Sequence, residues 1–198
     1  MKILLTLFVL LFSSSMVADD ISDFEIEGMS VGDKLFDHFS KEEFEKAKER
    51  STIFKQKDGK FNSLLFYNLP RYKIYDGVRT SWKPIDKNYV LIGITGFKYF
   101  QKDFQNCSKL KETIINDIEK MIGNNAYKKD TGKKISSYDK TGDSYFYDVQ
   151  FIFDSGGKIR IVCINWSEKI EQTQNYWDTL EVMLQTKEFT KILSNNPY

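Results

Sequence analysis

The 198-residue chain is 41% hydrophobic and 15% aromatic, with 29 basic against 28 acidic residues, 11 glycines and only 3 prolines. That balance excludes collagen-like, low-complexity and disordered classes. A net charge near zero also argues against a nucleic-acid binder, which needs a basic excess to release counterions from phosphate. One histidine and two cysteines are too few for a zinc site, so no metal and no cofactor are expected.

Residues 1–18 read as a secretory signal peptide. Lys2 is the positive start, residues 3–12 are apolar apart from Thr6, and Ser13, Ser14, Ser15 and Ala18 supply small residues ahead of Asp19-Asp20. Cleavage after Ala18 is favoured; cleavage after Ser15 is the alternative, with Ser13 at the −3 position. The apolar run falls well short of the roughly 20 residues that span a bilayer. No later stretch approaches that length, so no transmembrane segment is expected in the mature chain. The expected location is periplasmic or secreted.

Residues 19–198 then form one domain. Ser30 and Asp33 match a capping box ahead of Leu35, Phe36 and Phe39, and Ser40 with Glu43 forms a second box. Two short helices over about 31–39 and 41–50 follow. Strand-like patterning begins at Phe61 and stops at Asn68-Leu69-Pro70. Residues 72–82 are β-prone around Asp76-Gly77, read as a tight turn or a bulge, and residues 89–100 resume as a long strand. The spacing of Cys107, Leu110, Ile114, Ile118 and Met121, widened by Ile115 and Ile122, predicts a helix over about 103–122 closed by Gly123. The lysine-rich stretch 128–143 reads as a loop or a projecting hairpin. Tyr145, Tyr147, Val149, Phe151 and Phe153 alternate on one strand, Asp154-Ser155-Gly156-Gly157 turns, and Ile159, Ile161 and Cys163 alternate on the return. Residues 167–176 are a polar connector to a strand bearing Leu180, Val182 and Leu184. Thr186 caps a final helix with Phe189, Ile192 and Leu193 inward.

This order predicts an α+β fold: an antiparallel sheet of about five to seven strands, with one long helix and short N- and C-terminal helices packed on it. Both halves, about 23–100 and 103–196, run helix and then meander, so a weak internal duplication is a further reading.

The segment 24–33 (Phe-Glu-Ile-Glu-Gly-Met-Ser-Val-Gly-Asp) resembles an uncharacterised family of small secreted proteins from oceanic, Pelagibacter-like alphaproteobacteria. The similarity continues at Tyr75-Asp76-Gly77-Val78, Asp86-Lys87-Asn88-Tyr89, the Asp154-Ser155-Gly156-Gly157 turn, residues 163–168 and Thr186-Lys187-Glu188-Phe189. It implies export and a shared fold, but no activity. Gly28-Met29-Ser30 also resembles the repeat start of outer-membrane assembly lipoproteins and β-lactamase-inhibitor-like domains.

No residue set announces a reaction. His38, the sole imidazole, neighbours Asp37 on a helix where adjacent residues do not face each other. Without a histidine base, serine or cysteine nucleophiles lack an activator, and no G-x-S-x-G motif occurs. Glu42/Glu43 and Asp117/Glu119 read as solvated helix faces, whereas glycoside hydrolysis needs carboxylates across a cleft. Residues 139–143 lack the acidic spacing of an EF-hand. Asn106-Cys107-Ser108 and Asn165-Trp166-Ser167 match the glycosylation pattern, by chance in a bacterial host. The aromatic excess is the informative feature: Tyr145, Tyr147, Trp166 and Trp177 are candidates for a stacking platform, against the simpler reading that they build a core of large side chains. The only two cysteines, Cys107 and Cys163, are expected to pair if the chain is exported. The sequence therefore points to a non-catalytic binding or interaction domain acting on an envelope protein, peptide or glycan. The alternative is a carboxylate-dependent hydrolase of envelope polymers.

Overall fold

The computed structural model describes residue 18, residues 20–50, 54–55 and 59–195. Of the proposed leader, residues 1–18, all but Ala18 lie outside the described residues. Ala18 is buried, its N–H donates to the Met121 carbonyl at 3.0 Å, and its own carbonyl accepts from Asn125 Nδ2 at 3.2 Å.

The fold is α+β and antiparallel throughout. Strands β1 (Phe54–Lys55), β2 (Asn62–Tyr67), β3 (Gly77–Trp82), β4 (Leu91–Gln101), β5 (Ala126–Ile135), β6 (Tyr145–Phe153), β7 (Lys158–Asn165) and β8 (Asp178–Gln185) form one sheet in the order β1-β2-β3-β4-β8-β7-β6-β5. Each half is a meander running inward or outward, and the two last strands, β4 and β8, meet at the centre. A two-residue β1 aside, the strands are six to eleven residues long.

Helices α1 (Leu35–His38), α2 (Lys41–Arg50) and α3 (Phe104–Ile122) precede the meanders; α4 (Glu168–Gln174) and α5 (Lys187–Asn195) flank β8. The first helix is shorter than its sequence pattern because the preceding residues pair with β4: Gly32 N–H donates to Leu91 O, and Leu91 N–H to Asp33 O, both at 2.8 Å. Phe39 is extended (φ −125°), which separates α1 from α2. The Ser40–Glu43 box forms in both directions, at 2.9 and 3.1 Å.

Three other expectations change. Asp76-Gly77 is neither turn nor bulge; it opens β3 opposite Tyr67, and Asp76 Oδ2 accepts the Tyr99 N–H at 2.8 Å. The first half of the lysine-rich stretch belongs to a ten-residue edge strand, β5, paired along β6. Its side chains are mostly exposed, so no burial alternation marks it, and its lysines together with the irregularity between Asp130 and Lys133 discourage further strand pairing. The polar connector after β7 contains α4, capped by Ser167 and burying only Ile170.

Alternation assigns the two faces of the sheet. On β4, Ile94 and Gly96 face one way; Gly93, Thr95, Phe97 and Tyr99 face the other. The first face carries the main core. There α3, capped by Asp103, buries Cys107, Ile115, Ile118 and Ile122 against Ile159, Ile161, Leu180 and Val182. The buried stripe runs through Lys111 rather than Leu110. Lys111 fits because its stem is covered while its ammonium lies 5.3 Å from the Tyr147 ring and 3.1 Å from Glu112. Gly96 is required here: a Cβ at this position would sit 2.7 Å from the buried Tyr75 ring. On the second face α5 covers one end, packing Phe189 and Ile192 on Phe61 and Ile92. The other end is uncovered.

Candidate functional site

The uncovered end of the second face is a cleft of about 850 Å³, within the range of small-ligand sites. Register explains who lines it. Leu65 lies opposite Arg79, Tyr67 opposite Gly77, Phe97 opposite Glu181, and Tyr99 opposite Thr179, so four strands send these side chains to one surface. The segment between β7 and β8 adds Trp166, Tyr176 and Trp177 as a wall.

Of the four aromatic candidates, the cleft contains Trp166 and Trp177 only. Tyr145 and Tyr147 sit on the α3 face, with ring centroids 5.3 and 6.1 Å from Phe104, because their strand alternation matches that of Val149 and Phe151 in the core. Composition had grouped the four; the pleat separates them. Tyr67, Phe97, Tyr99, Arg79 and Glu181 escape a sequence reading, since they are scattered over four strands and meet only through pairing.

The aromatic wall is pre-assembled. Tyr99 and Trp177 meet edge-to-face at 5.7 Å. Tyr138 stacks on Tyr176 at 5.7 Å, and Trp166 meets Tyr176 at 5.1 Å. Even so, Trp177 is 42% exposed and Tyr176 39%. Large aromatic side chains left in water beside a concavity are an exception to the usual burial preference.

The charged side chains lining the cleft are Asp76, Arg79 and Glu181. The Arg79 guanidinium lies over the Phe97 ring at 4.7 Å. Asp76 is engaged by the Tyr99 amide, and Lys98 Nζ lies 4.0 Å from its other oxygen. Burial pushes the Glu181 carboxyl above its ordinary range, against the opposing pull of Arg79 and Arg160. Further along the face, Arg160 and Asp148 form a two-pronged ion pair at 3.0 and 3.1 Å.

No protein-family model and no curated protein matches the chain. The cleft is therefore read from its own chemistry.

The remaining sequence candidates lie elsewhere. His38 Nε2 is 2.9 Å from Asp33 Oδ2, the same oxygen that accepts the Ser30 N–H, and this unit closes the turn before α1. Glu43 binds Ser40 and Arg71, while Glu42 pairs with Lys46 along α2. Asp139 spends both oxygens locally, on Thr141 and on the N–H and hydroxyl of Ser144. These donors hold its carboxyl far below the usual range and make it the hub of the loop leading into β6. Cys107 and Cys163 are bonded, with Cα atoms 6.1 Å apart, tying α3 to β7 within the core. Among the described residues, no helix is long and apolar enough to cross a membrane.

Proposed function

We propose that this chain is an exported, non-catalytic binding domain that holds its ligand in the cleft between β2, β3, β4, β8 and the segment around Trp177. The observation that carries this reading is a wall of exposed aromatic rings, held by one another on the segment between β7 and β8, above a floor built by four paired strands. Such a surface offers binding energy without a nucleophile or an activated base. Export is supported by the leader-like residues 1–18 and by the buried disulfide, a bond that persists in oxidising compartments.

A carboxylate-dependent hydrolase is the second reading. It draws on Glu181, a carboxyl with a raised pKa suited to proton donation, and on Asp76 at the same cleft. Asp76 is already committed to the Tyr99 amide and lies near Lys98, which favours a positioning role over activation of water.

One experiment separates the two. The purified protein is incubated with a size-fractionated digest of envelope material, and bound compounds are identified by mass spectrometry after denaturation. Recovery of intact ligand, lost in Trp177→Ala, is the expected result. Shortened products that disappear in Glu181→Gln would establish the hydrolase instead.

A further inference from the structure

The cleft carries a second signature besides its aromatic wall. Four carboxamides converge on it: Asn68, Gln101, Gln174 and Asn175. All four are exposed, and none of their side chains hydrogen-bonds to another described residue. Three of them also hold left-handed backbone: φ is +48° at Asn68, +51° at Gln101 and +54° at Asn175. Only two other non-glycine residues among those described, Glu27 and Tyr89, share that conformation. Left-handed geometry is costly for an L-residue and mildest for asparagine. It occurs on three separate chain segments that all border this one cleft, a place where backbone strain is retained.

From this we infer that the ligand is a neutral oligosaccharide. The assignment rests on the binding-cleft reading above and names its ligand class. Sugar rings present apolar C–H faces and a rim of hydroxyls. Trp177 and Tyr176 supply flat apolar surfaces for the former. The carboxamides, each offering both donors and an acceptor, match hydroxyls that are themselves donor and acceptor. The cleft presents both signs of charge, Asp76 and Glu181 beside Arg79, so neither a polyanion nor a polycation meets a lining of one opposite sign, whereas a neutral ligand meets no like charge.

The test is calorimetric titration of the intact protein with neutral tetrasaccharides of glucose, mannose, xylose and N-acetylglucosamine, beside polygalacturonate, chitosan oligomers and a pool of capped, uncharged hexapeptides. Saturable binding of at least one neutral saccharide at up to millimolar concentration is expected. Trp177→Ala should weaken it by about tenfold or more, the loss of one stacking contact. Asn68→Gly/Gln101→Gly, which removes both carboxamides and keeps the left-handed backbone without strain, should weaken it without lowering the melting temperature. Tighter binding of the charged polymers, or no saccharide binding, overturns the ligand assignment. Trp177-dependent binding of peptide alone overturns it too, but leaves the cleft reading standing. Saccharide binding that ignores all three substitutions overturns the cleft itself.

Discussion

Asp178 accepts the backbone N–H of Trp166 at 3.0 Å and directly follows Trp177 in the chain, so one buried carboxyl fastens the segments that carry both indoles of the cleft. Burial pushes its pKa up from 3.8 to about 6, against the lowering effect of that hydrogen bond. A carboxyl whose pKa is higher folded than unfolded retains its proton in the native state between the two values. Stability is then greatest below about pH 4, declines as pH rises toward about 6, and stays reduced at neutrality. Asp178→Asn keeps an acceptor for Trp166 and removes the charge. We expect it to flatten the pH 4–6 slope in urea unfolding and to stabilise the protein at neutral pH by about 1–2 kcal/mol.

The Cys107–Cys163 bond closes a loop spanning 56 positions between the long helix and the return strand of the second meander. In the chain-entropy treatment a loop of this length contributes about 4 kcal/mol by restricting the unfolded ensemble. Reduction, or Cys107→Ala/Cys163→Ala, should lower the urea midpoint by a corresponding amount without changing the far-ultraviolet spectrum of the native state. Equal midpoints for oxidised and reduced protein would contradict the entropic role.

Glu27 is a fold-stabilising carboxylate. Its Oε2 accepts the Lys73 N–H at 2.9 Å, and its Oε1 accepts those of Ile74 and Tyr75 at 2.7 and 2.9 Å. The connection between β2 and β3 has few other backbone partners, so this contact between residues far apart in sequence fixes its path. Glu27→Ala leaves three amides without an acceptor and should cost about 2–3 kcal/mol. Glu27→Gln should cost less, because one carbonyl oxygen survives. Hydrogen exchange at residues 73–75 reads the effect directly.

The position of Ala18 bears on processing. Its amide and carbonyl cap the C-terminal end of α3 through Met121 and Asn125, and its side chain is buried. Removal of residues 1–18 would discard those contacts; removal of residues 1–15 retains them. We expect exported protein to begin at Met16. Intact-mass measurement decides between the two, and a chain starting at Asp19 would refute the Ser15 site.

Local patterning alone was enough to place most of the elements. The span of α3, the two-way Ser40–Glu43 box, the β6–β7 hairpin and the Thr186-capped α5 all follow from contacts a few residues apart, where side-chain periodicity and capping act directly. The cysteine pairing was also legible, because export would leave two thiols with only each other. What failed locally has a common cause. Strand β5 is an edge strand with mostly exposed side chains, α4 buries a single residue, and Lys111 is buried because Tyr147 and Glu112 receive it, so none carries a hydrophobic period.

The cleft belongs wholly to the tertiary structure. Leu65, Arg79, Phe97 and Glu181 share a surface only because β4 pairs with β3 on one side and with β8 on the other, joining the two meanders at the centre of the sheet. Alternation then sends Tyr145 and Tyr147 to the helical core, while the segment between β7 and β8 brings Trp166 and Trp177 to the open face. Composition determined that the chain is rich in aromatic rings. Which of them face solvent was decided by strand register and by the path of the segment between β7 and β8, non-local properties that no run of neighbouring residues encodes.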